Sequence, residues 1–274
     1  MKNLANIDEL QDHLRKYGIS ADKSLGQHFL VNEQVLSSIV DGAELTKEDT
    51  VLEVGPGPGV LSQRLVKEAG ELIAVEIDEK MIKPWKGLMS DYVQASIIHQ
   101  DVLKYIPPQK PYKVVANIPY YISSPILQHF LRNPEVTRPT SVILLIQKEV
   151  AERVCSTKKP TLLSWLVQIY GAPSIVCNVP PNSFFPPPKV DSAVLKIDVL
   201  DNPLVAAEDM DKFFELLEYS YKQPRKTLSN NLKNAPKYKD IDTTELLEKA
   251  GVDGGLRPHQ LGLEEWNQIL ETLS

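Results

Sequence analysis

Two periodicities run through the first two hundred residues. Short apolar runs at Thr50–Val54, Leu72–Ile77, Ser96–Gln100, Tyr112–Ala116 and Ser141–Gln147 each read as a buried strand. Between and around them, apolar residues at three- and four-residue spacing predict helices over 32–45, 59–68 and 161–171. Asn32 is placed to cap the first of these, and Asp78 to cap a further helix after the second strand. Strands alternating with helices predict a parallel sheet. Ser174–Val179 and Ser192–Val199 read as two more strands flanking the proline-rich loop PPNSFFPPPKVDS. With no helix between them, they predict an antiparallel edge on that sheet.

The pattern changes near residue 200. Residues 201–208 are polar and proline-containing, as a linker would be, and only helical spacing follows, over 209–220, 224–233, 242–250 and 262–272. The expected organisation is an α/β domain over 1–200 and a small all-helical domain over 201–274. A chain of 274 residues with 42% hydrophobic content can bury one sizeable core and a second smaller one. No run approaches the ~20 apolar residues of a membrane helix. The N-terminal MKNLANIDELQDHLRKYGIS mixes charge with apolar residues at helical spacing and lacks a signal-peptide core, so a cytoplasmic protein is expected. Cys155 and Cys177 have no metal-ligand spacing and read as reduced, buried small hydrophobes; no metal is expected.

The net charge of −6 excludes uniform attraction to phosphate. Charge is segregated, however. KQPRKTLSNNLKNAPKYK, residues 222–239, carries Lys222, Arg225, Lys226, Lys233, Lys237 and Lys239 and no acid. It reads either as a solvated helix face or as a patch that meets phosphates.

Candidate chemistry gathers at the carboxyl ends of the strands, where open α/β sheets bind ligands. In VLEVGPGPGVLSQRL a strand runs into Gly55, Gly57 and Gly59, and helical spacing follows. Glycine permits the sharp turn and close backbone approach that a nucleotide needs. The spacing is G-x-G-x-G, not the dinucleotide G-x-G-x-x-G. Glu76, near the end of the second strand, can accept hydrogen bonds from two ribose hydroxyls; Asp101, after the third, can accept one from an adenine amine. These residues leave an NAD enzyme and a methyltransferase both open.

NIPYYISSPIL, residues 117–127, separates them. Asn117, Ile118, Pro119 and Tyr120 form an N-x-P-Y tetrad at the end of the fourth strand. An amino group conjugated to a ring is a poor nucleophile because its lone pair is delocalised. The Asn117 side-chain oxygen and the Ile118 carbonyl, held by Pro119, can each accept one N–H and turn that lone pair towards a methyl donor. Tyr120 can stack on the base. Phe185, stiffened by the prolines after it, is placed to form the second face of an aromatic clamp around an extruded base.

KSLGQHFL (23–30), EVGPGPG, AVEID, QDVLKY, NIPYYISSPIL, FFPPPKVDSAV and QPRKTLSNNLK occur in the order seen in the small-subunit rRNA adenine N6,N6-dimethyltransferases, the KsgA type, and the chain resembles that family from Lys23 to the C-terminal LRPHQLGLEEWNQIL. The resemblance implies a Rossmann-like S-adenosylmethionine-dependent methyltransferase domain, with a mostly parallel sheet, and a helical RNA-recognition domain. The implied substrate is a pair of adjacent adenosines in a hairpin near the 3′ end of small-subunit rRNA, each methylated twice in a partly assembled subunit. It also implies that Gln27, His28 and Leu30 border the methionine end of S-adenosylmethionine. Gly55 and Gly57 then lie along its backbone, Glu76 and Ile77 at the ribose, Asp101 and Val102 at the adenine, and Asn117 touches both cofactor and base. Relatives often carry Asn at the position of His28, and two adjacent arginines where this chain reads QPRKT. The chain is expected to act as a monomer. Two rivals are the large-subunit rRNA adenine methyltransferase of the macrolide-resistance type, and a non-catalytic ribosome-assembly or transcription factor on the same fold.

Overall fold

The computed structural model describes residues 3–19 and 28–273. The expectation for Gln27, like most of the KSLGQHFL segment, lies outside the described residues. The chain forms two compact units, Met1–Cys155 with Gly171–Asp201, and Ser156–Tyr170 with Asn202–Ser274. The predicted helix over 161–171, placed by the sequence beside the sheet, therefore groups with the C-terminal helices.

In the first unit the elements run α1 (Ile7–Lys16), β1 (Phe29–Leu30), α2 (Glu33–Ala43), β2 (Thr50–Val54), α3 (Ser62–Glu68), β3 (Glu71–Glu76), α4 (Glu79–Met89), β4 (Ala95–His99), β5 (Lys113–Asn117), α5 (Ser123–Leu131), β6 (Ser141–Gln147) and α6 (Lys148–Cys155). After α7 (Leu162–Tyr170) of the second unit come β7 (Gly171–Val179), β8 (Phe184–Phe185) and β9 (Ser192–Val199). Asn32 caps α2 through hydrogen bonds to its side-chain oxygen from the Gln34 and Val35 amides, and Asp78 caps α4. The sheet order is β4-β3-β2-β5-β6-β9-β7; all neighbours are parallel up to β6, and β9 is antiparallel to both β6 and β7. The predicted antiparallel edge is thus a hairpin whose second strand inserts between β6 and β7. β2 is buried at every position, as a central strand covered on both faces should be.

Two local expectations are corrected. The helix predicted from 59 begins at Ser62, because Gly59 has φ +101°, which no right-handed helix accommodates. Sequence periodicity also passed over α5 and α6. Both are short, and α5 follows the tetrad within the apolar NIPYYISSPIL run, where strand and helix spacing cannot be told apart.

The second unit contains α7, α8 (Met210–Ser220), α9 (Leu228–Lys233), α10 (Thr243–Lys249) and α11 (Leu263–Leu273). Trp266 is fully buried among them. The Tyr221 hydroxyl accepts from Trp165 Nε1 at 3.1 Å and donates to the Pro160 carbonyl at 2.9 Å, which ties α7 to the C-terminal helices. α9 starts at Leu228, not 224: Pro224, Arg225 and Lys226 lie in the turn before it, and Thr227 is its cap. Pro224 cannot continue a helix from the preceding residues, and the Thr227 hydroxyl accepts from the Asn230 amide.

Candidate active site

The chain order reverses between β2 and β5, which neighbour each other in the sheet while β3 and β4 extend one way and β6 the other. Ligands bind outside the carboxyl ends of strands at such a switch point. Register decides what meets there. Val54 pairs with Val75 on one side and Ala116 on the other, so Gly55, Glu76 and Asn117 emerge in one row across three adjacent strands. Neighbouring strands lie ~4.8 Å apart, so these three residues share a single cleft edge. Its cavity is about 220 Å³ and includes Gly55, Glu76, Asp101 and Asn117 among its walls.

The glycine turn is held by the acid opposite it. Glu76 is 5% exposed; its two carboxylate oxygens accept the Gly57 N–H at 3.0 Å and the Asp78 N–H at 2.8 Å. Burial pushes the Glu76 carboxyl above its usual range, and those two backbone donors oppose the shift. Each oxygen keeps a further lone pair for a ribose hydroxyl. Gly55 has φ +63°, and a Cβ there would enter open space. That room beside the backbone is what close approach of a nucleotide-like group requires. A Cβ at Gly59 would instead come within 2.7 Å of Leu88 Cδ2, so this glycine serves packing. Ile77 is an apolar side chain left 68% exposed at the cleft, and Val102 and Leu103 line the same cleft. Together they offer apolar faces for a flat ring. The Asp101 carboxylate caps the turn Val102–Lys104 by accepting the Leu103 N–H at 3.0 Å, which fixes it at the end of β4.

At the end of β5, Asn117 Nδ2 donates to the His28 carbonyl at 3.1 Å. This bond sets the orientation of the amide. Asn117 Oδ1 then has no hydrogen-bond partner among the described residues and is available as an acceptor. His28 is itself anchored: Nδ1 lies 2.7 Å from the Pro186 carbonyl, and since a carbonyl only accepts, that nitrogen carries the proton. The His28 ring stacks towards Tyr120, with centroids 6.3 Å apart and planes at 19°. The Tyr120 hydroxyl is within 2.7 Å of Ser192 Oγ, and burial raises its pKa. Ile118, Pro119, Tyr120, His28 and Leu30 all line the cleft.

Phe185 does not. The aromatic from the proline loop in the cleft wall is Phe184, which is 3% exposed. β8 pairs antiparallel with β1, Phe184 opposite Leu30 and Phe185 opposite Phe29. Phe184 shares its side of this two-residue pair with Leu30, and it is Phe184, not Phe185, that reaches the cavity wall.

Glu53 was passed over by sequence reasoning. It sits one residue before Val54, 1% exposed, and accepts a hydrogen bond from Ser62 Oγ, which itself accepts from Trp85 Nε1 at 2.8 Å. Burial raises its pKa to about 8, and the neighbouring Glu76 charge pushes the same way. A single acid inside an apolar strand, followed nine residues later by a serine, was the available signal.

Residues 18–274 match the family described as Ribosomal RNA adenine dimethylase. The chain belongs to the ribosomal RNA adenine dimethylase family. It is 39% identical over 267 residues to the Ribosomal RNA small subunit methyltransferase A of Dehalococcoides mccartyi, covering 95% of this chain and 91% of that protein. It is likewise 39% identical to the protein of that name in Bacillus pumilus, covering 99% and 98%. Among solved structures, a dimethyladenosine transferase from Plasmodium falciparum superposes with a TM-score of 0.77 at 27% identity, covering 88% of this chain and 96% of that one. The 23S rRNA methyltransferase ErmE gives 0.71 at 26%, covering 89% and 99%. The basic residues lie in the second unit. Lys222, Arg225, Lys226 and Lys233 are exposed and form no ion pair among the described residues, whereas Lys237 pairs with Glu215. No group of three or more His, Cys, Asp or Glu among the described residues could hold a metal ion, and no described helix is long and apolar enough to cross a membrane.

Proposed function

We propose that this protein transfers methyl groups from S-adenosylmethionine to the N6 amine of adenine in small-subunit ribosomal RNA. The observation that carries the reading is the orientation of Asn117: its NH₂ is committed to the His28 carbonyl, and its oxygen is left as a free acceptor level with Gly55 and Glu76. Bound along the glycine turn, S-adenosylmethionine supplies an electrophilic methyl group on a sulfonium. Glu76 takes the ribose hydroxyls, and Ile77, Val102 and Asp101 take the cofactor's adenine. Asn117 Oδ1 and the Ile118 carbonyl accept the two N–H bonds of the target amine and hold its lone pair towards the methyl donor. Tyr120 and Phe184 flank the base. Asn117 is an amide that does not titrate, and Tyr120 is bonded to Ser192 with its pKa raised. Neither is a general base, so the rate gain comes from orientation and from dipoles aimed at the nitrogen; the S–C bond would break to leave the neutral thioether of S-adenosylhomocysteine, and the methylated, positively charged amine, now strongly acidic, would lose its surplus proton to water.

The finer reading is two adjacent adenosines near the 3′ end of that RNA, each methylated twice, by a monomeric cytoplasmic enzyme acting on a partly assembled subunit. Lys222, Arg225, Lys226 and Lys233 supply phosphate contacts. Full-length similarity to proteins named small subunit methyltransferase A favours this over the large-subunit activity named for the ErmE structure. The test is incubation of the protein and methyl-labelled S-adenosylmethionine with immature small and large subunits, followed by mapping of the labelled nucleotide. Label at N6 of small-subunit adenosines is expected. Label only in large-subunit RNA, or none in either, overturns the reading.

A further inference from the structure

Among the cleft-lining side chains, Tyr121 is the most exposed of the large apolar ones, at 75%. It makes no hydrogen bond or ring contact among the described residues. It therefore contributes little to the core. Ile77 and Leu103, the other exposed apolar residues of the cleft, follow β3 and β4 on the cofactor side, but Tyr121 follows β5 on the base side. Tyr120, Tyr121 and Ile122 form one 3-10 turn. Successive side chains on such a turn diverge by ~120°. With Tyr120 tied inward to Ser192, Tyr121 is turned out to the rim, one residue from the target-base position. The turn is held in place below: Ser123 Oγ donates to the Tyr120 carbonyl at 2.9 Å, and the Ile122 amide donates to the Pro119 carbonyl at 3.2 Å.

A target base that leaves its stack must part from the base next to it, which then exposes one apolar face. We propose that Tyr121 is a substrate-binding residue, the platform on which the nucleotide base adjoining the target adenine stacks while the target occupies the cleft. This rests on the reading that the cleft takes an adenine of RNA. A π face is sequence-tolerant, so Tyr121 fixes the path of the strand at the cleft mouth and does not select which base adjoins the target.

The experiment compares the wild type with Tyr121→Ala, Tyr121→Phe and Tyr121→Asn on immature small subunits, with cofactor affinity measured by calorimetry. Loss of one base–aromatic stack raises the KM for the subunit by about 5- to 150-fold in the Ala and Asn variants. Tyr121→Phe, which keeps the ring, stays near wild type, and cofactor affinity is unchanged in all three. An Ala variant with the wild-type KM overturns the proposal, as does a Phe variant as weak as Ala. Weakened cofactor binding also overturns it, because the ring then covers the cofactor and not the RNA. If the wild type itself transfers no methyl group to small subunits, the underlying functional reading has failed, and that outcome is distinct from any difference among the variants.

Discussion

Glu53→Gln tests the electrostatics of the cleft floor most directly. In the folded chain burial raises the Glu53 carboxyl from 4.5 to about 8. The folded state therefore binds more protons than the unfolded state between those values. A carboxyl whose folded pKa is raised contributes stability that is present below the unfolded pKa and is lost as pH rises through the folded one. Over that window the loss from about pH 5.5 to about pH 8.5 amounts to roughly 3 kcal/mol. Glutamine keeps an oxygen to accept from Ser62 Oγ, so the Ser62–Trp85 bond survives, but it has no charge to bury. Urea unfolding followed by tryptophan fluorescence, at several pH values between these limits, reads the difference. Wild-type stability should fall towards alkaline pH while the variant falls less. Some decline remains because Glu76 is also raised. Wild-type and variant stabilities that run parallel across the whole range would show that Glu53 is ionised in the folded protein, and would refute the raised pKa assigned to its carboxyl.

Glu76→Ala should weaken S-adenosylmethionine binding by about 1.5–3 kcal/mol for each charge-assisted ribose bond lost, read by calorimetry, and it also frees the Gly57 and Asp78 amides. Unchanged affinity would remove Glu76 from the cofactor site. Asn117→Ala should abolish methyl transfer and leave RNA retention in filter binding largely intact, since the amide orients one nitrogen and holds no phosphate. Replacing Arg225 and Lys226 together with Ala should flatten the slope of log affinity against log salt by about one to two units on small subunits, with cofactor affinity unaltered. A wild-type slope in that double variant would mark the turn as a solvated face.

Much of the site was legible in the sequence because its determinants are local. A glycine turn, an acid at a strand end and an N-x-P-Y tetrad each declare themselves within a few residues. Alternation of strands and helices then places all of them at one edge of a parallel sheet. The basic stretch 222–239 was equally visible as composition, although its conformation was not. Pro224 and Thr227 delay the helix to Leu228, and the turn that carries Arg225 and Lys226 is held by a buried residue further on. The Asn231 side chain donates to the Gln223 carbonyl and accepts from the Gln223 amide, at 3.1 and 3.0 Å.

What the chain alone could not decide were relations between residues far apart in sequence. Strand register aligns Gly55, Glu76 and Asn117 in one row. It is Phe184 and not Phe185 that reaches the cleft wall, beside Leu30; a two-residue strand has no periodicity of its own from which that could be read. The His28 carbonyl, 89 residues away in the chain, chooses which end of the Asn117 amide is left free. Burial, which a linear pattern reports only on average, keeps the Glu53 proton on an acid that looks ordinary in its strand. Local sequence specifies which groups are available to the chemistry. Long-range packing specifies which way they point and what charge they carry, because orientation and dielectric surroundings are properties of neighbours brought together only when the sheet closes.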